Sequence, residues 1–192
     1  MRDQLLGATQ PMLSIVLDPG ECVIGGPGRF AWMTDSIEMD VADETGVWVY
    51  TATGEPGVVA FAAQRPGRIL SVDVGPQDQG YRFRRSDFVV RTPGVQLRAD
   101  PAEDGLALCR IAGSGRAWVE LAGDAVRREL TAGQSLRARP EHVGMFDGTI
   151  AIQVTQLHGT PSQNGGYPCA VLSGPGVVWL RSMPSAAERG EA

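Results

Sequence analysis

The sequence predicts an all-β fold, and three observations support this prediction. Glycine (25 residues) and proline (13) make up about a fifth of the 192 residues, whereas an average protein has about 12%. Short runs rich in β-branched and aromatic residues alternate apolar and polar positions with a period of two, as strands do. No stretch carries the apolar stripe of a helix over three turns. Strands spaced by roughly 8–12 residues favour a sandwich or a barrel.

The strand-like runs indicate one β domain with two short ends. The clearest runs are 13–17, 47–50, 69–74 and 150–154. We expect a single β domain over 11–183, an N-terminal arm at 1–10 and a flexible C-terminal tail at 184–192. Only residues 2–6 and 185–191 have a composition that could form a short helix.

Six Pro-Gly pairs separate these runs. Proline presets φ at the first central position of a type II turn, and glycine supplies the positive φ that the second position needs. The glycines that we expect to shape turns are Gly20, Gly28, Gly57, Gly94, Gly115 and Gly176. Gly115 and Gly176 should have positive φ or lie where another backbone segment passes closely.

The sequence repeats itself with a period of about 60 residues. A hairpin with a turn of small residues recurs at 50–61, 108–119 and 169–180. A second unit alternates with these hairpins, and each copy leads into an aromatic strand and a turn, at 30–37, 88–95 and 145–150. Three copies of one β unit predict one body with three internal repeats and pseudo-threefold character.

The charged residues exclude several functions. All 17 basic residues are arginine, so the chain can build neither a P-loop nucleotide site nor a lysine Schiff base. The formal net charge is −5. This charge speaks against nucleic acid as a partner, because binding to nucleic acid needs a basic face. No apolar run reaches the roughly 18 residues that cross a bilayer, so we expect no integral membrane segment.

Neither the cysteines nor the histidines form a metal-binding pattern. Cys22, Cys109 and Cys169 are far apart and include no CxxC pair, and His142 and His158 are the only histidines. A metal site needs converging ligands, so we expect no metal and no cofactor. An odd number of cysteines without a secretory signal indicates reduced thiols and a cytoplasmic location.

No set of residues in the sequence identifies a catalytic site. Asp35 and Asp147 occupy similar positions in the repeats and could act as an acid–base pair, but an aspartate that closes a turn explains them more simply. Ser114 lies between two glycines, yet its surroundings lack the G-x-S-x-G pattern and the helix of a nucleophile elbow. A hydrolase that uses His142 would need a serine within hydrogen-bond reach of that ring. We therefore expect that the protein is not an enzyme.

Four tryptophans are the candidate binding residues. Trp32, Trp48, Trp118 and Trp179 lie in similar or neighbouring strand-like runs. They could line a cavity of the β body and bind a small ligand. Packing in the core or at a subunit interface is the simpler explanation, because aromatic rings dominate the energetics of both.

The sequence resembles the altered-inheritance-of-mitochondria family, number twenty-four of that series. The matching motifs lie, in order, at 12–21, 28–33, 37–39, 92–95, 113–115 and 174–176. The resemblance covers about residues 10–184 and implies a double-stranded β-helix like that of the tryptophan RNA-binding attenuation protein class. It also implies a homotrimer, and it implies no known activity. Family members carry long Gly-rich insertions, but the corresponding segments here, 41–46, 99–105 and 158–166, are short.

These observations lead to one functional expectation and one alternative. We expect a non-catalytic, homo-oligomeric β protein with a scaffolding or assembly role. The alternative is a small-ligand binding module with an aromatic-lined cavity. Uncharged strand segments such as 46–50 and 176–180 are poorly protected if they form sheet edges, so we expect a neighbouring subunit to cover some of this surface.

Overall fold

A computed structural model describes residues 1–42, 47–100, 106–157 and 167–184. Nineteen strands form in these ranges: β1 Arg2–Leu6, β2 Met12–Leu17, β3 Cys22–Gly25, β4 Phe30–Met33, β5 Ile37–Val41, β6 Trp48–Ala52, β7 Gly57–Ala62, β8 Gly67–Val74, β9 Tyr81–Arg84, β10 Phe88–Arg91, β11 Val95–Ala99, β12 Leu108–Gly113, β13 Gly115–Ala122, β14 Ala125–Leu130, β15 Ser135–Ala138, β16 Val143–Asp147, β17 Ala151–Leu157, β18 Tyr167–Ser173 and β19 Gly176–Arg181. Two short 3₁₀ turns, Arg85–Asp87 and Pro140–His142, interrupt them.

The strands form four antiparallel sheets, so the prediction of an all-β protein is confirmed. Two sheets have six strands, in the orders β5-β6-β3-β10-β13-β8 and β11-β12-β9-β16-β19-β14. A four-stranded sheet has the order β1-β2-β7-β4, and a three-stranded sheet has the order β15-β18-β17. In the described part of the chain, no helix is long and apolar enough to cross a membrane.

The strand order recurs along the chain. Adding six to each strand number of the first six-stranded sheet gives the order of the second. The same shift relates β4-β7-β2 to β10-β13-β8, and it relates β11-β12-β9 to β17-β18-β15. The four-stranded and three-stranded sheets therefore each contain one half of the six-stranded arrangement.

Three turns share one hydrogen-bond pattern, and they begin at Thr34, Thr92 and Asp147. In each turn the backbone carbonyl of this residue accepts a bond from the N–H three residues later, at 3.0–3.1 Å. Its side-chain oxygen accepts a second bond, at 2.7–3.0 Å, from a backbone N–H on the neighbouring hairpin. The three donors of this second bond are Val58, Arg116 and Val177.

These turns correct the role predicted for Asp35 and Asp147. Thr34, not Asp35, occupies the position that corresponds to Asp147. The Asp147 carboxylate does not bond its own backbone two residues later, because it accepts from the Val177 N–H of β19 at 2.7 Å. Asp147 thus links a turn to a neighbouring hairpin, and it forms no pair with Asp35.

The core consists of three clusters of apolar side chains, and the alternation in the sequence accounts for much of it. Leu13, Ile15 and Leu17 on β2 are fully buried, as their period of two predicts. They pack in a cluster with residues of β3, β6 and β7. Strand β13 lies inside its sheet and is buried continuously from Ala117 to Ala122. A strand that is covered on both faces reads as an apolar run without alternation.

The N-terminal residues form a strand, so the short helix considered for 2–6 is wrong. Strand β1 pairs antiparallel with β2, with Arg2 opposite Val16. The Asp3 carboxylate accepts bonds from Arg116, at 3.1 Å, and from the Trp118 indole N–H, at 3.2 Å. Backbone groups on the edge of β2 need partners, and β1 supplies them. Residues 185–191 and the short segments 43–46, 101–105 and 158–166 lie outside the described residues.

The predicted turn glycines serve two different purposes. Gly20 and Gly28 have positive φ, +84° and +67°. Gly57 and Gly94 do not have the predicted positive φ, and both lack room for a side chain. A Cβ would lie 2.5 Å from Ile37 Cδ1 at Gly57, and 2.2 Å from the Ser114 carbonyl oxygen at Gly94.

Gly115 and Gly176 have positive φ and also lie too close to other atoms to leave room for a side chain. Their φ angles are +142° and +146°. A Cβ at Gly115 would lie 2.2 Å from Thr92 Oγ1, and a Cβ at Gly176 would lie 2.7 Å from Thr149 Oγ1. Each glycine opens a hairpin strand and packs against one of the shared turns, so a larger residue would disturb both elements.

We predict that Gly115→Val lowers the free energy of unfolding by about 1–3 kcal/mol, because backbone strain adds to the clash with Thr92. Urea denaturation of the variant and the parent measures this effect. Gly20→Val is the matched control, since Gly20 also has positive φ but no atom within 4 Å of the added Cβ. Equal losses in the two variants would contradict the close packing at Gly115.

Candidate functional site

The four tryptophans lie in different environments and do not form a cage. Trp32 is 41% exposed on β4, where its indole N–H contacts Met12 Sδ at 3.2 Å. Trp118 is buried on β13. Trp48 and Trp179 are half-buried and pack against two different core clusters. The Trp179 ring also meets Tyr81 edge-on, with 6.0 Å between ring centroids.

Two cavities that described residues line contain no tryptophan. A cavity of about 410 Å³ lies where the loops around Thr9, Pro66, Gly123 and Ser182 converge. A second cavity, of about 250 Å³, is lined by 78–81 and 147–149, and Tyr81 is its one aromatic residue. The predicted grouping of Trp32, Trp48, Trp118 and Trp179 around a ligand therefore does not occur at either cavity.

Strands β4 and β5, each at the end of its sheet, carry exposed apolar side chains. We call these side chains the β4–β5 surface, which consists of Phe30, Trp32, Met39 and Val41. Phe30 is 40% exposed and Val41 is 61% exposed. The Phe30 ring stacks on buried Tyr50 at 5.5 Å, so the surface continues into the core. Among the described residues, β4 pairs only with β7 and β5 pairs only with β6. Each strand therefore leaves one edge unpaired beside this apolar surface.

A second open edge lies on β15, in the three-stranded sheet. Strand β15 pairs with β18 and with no other described strand. Along it, Ser135 and Arg137 are exposed, while Leu136 and Ala138 are half-buried. This edge presents unpaired backbone groups beside a small side chain, Ala138.

A network of buried ion pairs lies between the sheets. Glu120 on β13 pairs with Arg29 and with Arg65, whose Nε lies 2.9 Å from Glu120 Oε1. Asp87 pairs with Arg65 and with Arg181 on β19, whose Nη1 lies 3.3 Å from Asp87 Oδ2. Both carboxylates and the Arg29 and Arg181 side chains are almost completely buried. The network thus connects the start of β4 with two other sheets.

Backbone groups supply further hydrogen bonds to these buried charges, and among the described residues only Arg181 Nη2 of this network has no partner. The Gln64 N–H donates to Glu120 at 2.8 Å. Arg29 Nε donates to the Phe88 carbonyl at 3.0 Å, and Arg181 Nε donates to the Glu141 carbonyl at 2.8 Å. A buried charge is tolerated when it is paired and hydrogen-bonded in this way. The carboxylates therefore serve as counter-charges to buried arginines, and neither of them lines the two cavities described above.

The pKa values of the two buried carboxyl groups shift in opposite directions. Burial alone would raise the pKa of Glu120, but the charge of Arg29 and the hydrogen bonds from Arg65 and the Gln64 N–H outweigh it. The pKa of Glu120 is therefore lowered. At Asp87 burial is the larger effect, and it raises the pKa although Arg181 and Arg65 oppose it.

The sequence offered one signal for this network. Glu120 is the single charge in the run 117–122, where every neighbour is apolar. An isolated carboxylate in a buried strand needs a cationic partner. The identity of its partners, Arg29 and Arg65, depends on contacts across 91 and 55 residues of sequence, which no local pattern contains.

The remaining candidate residues do not form a catalytic or metal-binding group in the described ranges. His142 Nδ1 donates to the Arg181 carbonyl at 2.8 Å, so this ring nitrogen bonds backbone and not a serine. Among the described residues, no three His, Cys, Asp or Glu side chains converge on a metal position. Burial raises the pKa of Cys109 to about 12, and a thiol that stays protonated is a poor nucleophile. His158 lies outside the described residues.

We predict that Glu120→Gln lowers the free energy of unfolding by about 3–5 kcal/mol, because it leaves buried Arg29 without its counter-charge. Glu129→Gln is the matched control, since Glu129 pairs with Arg127 on the exposed surface and such pairs contribute little. Chemical denaturation at neutral pH measures both variants. A loss at Glu120 no larger than that at Glu129 would show that the buried pairs do not hold the sheets together.

The stabilisation from Glu120 should also depend on pH. Because its pKa is lowered in the folded protein, this stabilisation is complete above the ordinary glutamate pKa of 4.5 and is lost as the pH falls below it. The stability difference between the parent and Glu120→Gln should therefore narrow between pH 7 and about pH 3. A constant difference over this range would contradict the lowered pKa.

Comparison with known proteins identifies the family and the fold. The model of the mitochondrial biogenesis AIM24 family matches residues 4–183. A crystal structure of a protein from Streptococcus pyogenes superposes on this chain with a TM-score of 0.79. The superposition covers 95% of this chain and 94% of the Streptococcus pyogenes chain, and the two sequences are 16% identical. No curated protein matches the chain.

The two matches agree with the resemblance that the turn and hairpin motifs carry. At 16% identity the Streptococcus pyogenes structure shows a shared fold alone. The family model covers all three copies of the turn that begins at Thr34, Thr92 or Asp147. The chain belongs to the mitochondrial biogenesis AIM24 family.

Proposed function

We propose that the protein is a non-catalytic subunit of a homo-oligomer, with a scaffolding or assembly role. The observation that carries this proposal is the β4–β5 surface, where exposed Phe30, Trp32 and Val41 lie beside unpaired strand edges. An exposed apolar surface next to an open edge favours association, because contact buries the side chains and pairs the backbone. We propose a trimer, which is the number that the family resemblance implies.

The non-catalytic role is supported by the positions of the reactive side chains. The best-buried carboxylates, Glu120 and Asp87, are each held by two arginines. His142 bonds a backbone carbonyl, and the Cys109 thiol is buried. A catalytic set needs a nucleophile, a base and a stabilising donor near a common point, and the described residues bring no such set together.

We also propose that the chain consists of three repeats arranged as a double-stranded β-helix. Two observations favour this description. Strand pairings recur when six is added to each strand number. The turns at Thr34, Thr92 and Asp147 use the same two hydrogen bonds. A body built from three stacked units leaves one incomplete unit at each end, and assembly of several chains completes both.

We predict a mass near three times 20.4 kDa in light scattering coupled to gel filtration at micromolar concentration. Trp32→Glu should lower this mass to that of one chain, because a carboxylate would become buried without a partner in the interface. Met183→Glu is the matched control: Met183 is an exposed apolar residue outside the strands, and its substitution should leave the mass unchanged. A parent protein that stays monomeric on concentration would overturn the proposed function.

A further inference from the structure

We propose that neighbouring copies join by antiparallel pairing of β15 of one copy with β4 of the next. A six-stranded sheet then continues from one subunit into another. This inference rests on the proposed function, and it adds which two strands meet and in which register.

Each six-stranded sheet consists of two groups of three strands, and we call the strand pair that connects the two groups the joint. The joint is β3 with β10 in the first sheet and β9 with β16 in the second. In both joints the strand numbers differ by seven. The next joint in this series would use β15 and a strand that follows β19, where the chain has no further strand among the described residues. The preceding joint would use β4 and a strand before β1.

Strands β15 and β4 are therefore the two strands that lack the partner this series requires. The order β17-β18-β15 corresponds to β5-β6-β3, and the order β4-β7-β2 corresponds to β10-β13-β8. Joining β15 of one copy to β4 of the next produces the same six-strand order as the two complete sheets. The two edges differ, so the contact is head-to-tail, and such a contact can close into a ring.

The two internal joints also specify the register of the proposed one. Arg91 lies opposite Ile24 in the first joint, and Phe146 lies opposite Arg82 in the second. Arg91 and Phe146 each precede a shared turn, as Met33 precedes Thr34. Arg137 pairs with Val171 on its hairpin strand, as Arg82 pairs with Arg110. These correspondences place Met33 of one copy opposite Arg137 of the next, and Trp32 opposite Ala138.

The side chains and the backbone fit this register. Small Ala138 leaves room for exposed Trp32. Arginine is already accommodated at the position of Arg137, since Arg82 lies over the Phe146 ring at 5.3 Å in the internal joint. The Thr34 N–H donates to Val58 on the β7 side. Because N–H groups alternate along a strand, the Met33 N–H faces the open edge and can pair there.

The buried charges distinguish the proposed joint, which lies between two chains, from the two joints within one chain. Arg29–Glu120 crosses the first internal joint and Asp87–Arg181 crosses the second. The partners of these ion pairs occupy equivalent positions in the repeats. Five residues before each shared turn lies Arg29, Asp87 or His142. Four residues after the N–H donor to each turn lies Ala62, Glu120 or Arg181. The proposed joint thus has His142 and Ala62 where the internal joints have ion pairs, so it depends on backbone pairing and apolar contact.

Disulfide trapping tests the register. Opposed residues of an antiparallel pair have Cα atoms about 4.5–5.5 Å apart, within the range of a disulfide. In a Cys22→Ser background, Met33→Cys with Arg137→Cys should link chains into covalent dimers and trimers on a non-reducing denaturing gel after mild oxidation. An equal mixture of the two single variants should give dimers only, and each single variant should give none. Met33→Cys with Ser135→Cys, shifted by two residues, is the off-register control and should link much less.

The outcomes distinguish this inference from the proposed function. Light scattering under reducing conditions first checks that each variant still assembles. If the variant with Met33→Cys and Arg137→Cys does not assemble, Trp32→Cys with Ala138→Cys provides a second pair in the same register. An assembled protein that forms no interchain link at either pair, or that links β4 to β15 within one chain, would overturn the proposed joint while the oligomer stands. A parent protein that is monomeric would overturn the proposed function itself.

Discussion

The buried ion pairs among Arg29, Glu120, Arg65, Asp87 and Arg181 connect sheets that also pack together through apolar core clusters. Each carboxylate is held by two guanidinium groups. Fully buried charges of this kind are costly without partners, so the sheets must keep the positions in which the partners meet. Three arginines and two carboxylates therefore act as one unit. The apolar clusters pack the sheets against one another, and the ion pairs add the requirement that these charged groups meet.

Backbone pairing is the second constraint on the molecule. Two of its sheets are complete six-stranded arrangements, and the other two are halves of that arrangement. Antiparallel edges that remain open carry unpaired N–H and C=O groups, and proteins normally cover or block them. At β1 the chain itself covers the edge of β2, and β1 then becomes the terminal strand of this sheet. At β4 exposed Phe30 and Trp32 lie beside an open edge. The contact between copies that we propose would satisfy both the backbone groups and the apolar side chains at β4.

The Streptococcus pyogenes structure shares this fold at 16% sequence identity. In this chain a Cβ at Gly57, Gly94 or Gly115 would lie 2.2–2.5 Å from another atom, whereas core positions accept apolar residues of suitable volume. A fold that constrains the size of few residues tightly and many residues loosely tolerates large differences in sequence.

Local sequence patterns determined the all-β class, the runs of alternating strands and the family, because strand alternation and turn residues act over a few positions. The burial of Leu13, Ile15 and Leu17 was predictable for the same reason. The strand at 2–6 was not, because it forms only when the edge of β2 offers its backbone. Neither was the network around Glu120, whose partners lie 55 and 91 residues away in sequence. Which edges stay open, and which tryptophan is exposed, were decided by how the sheets join, since pairing between distant strands leaves no local pattern.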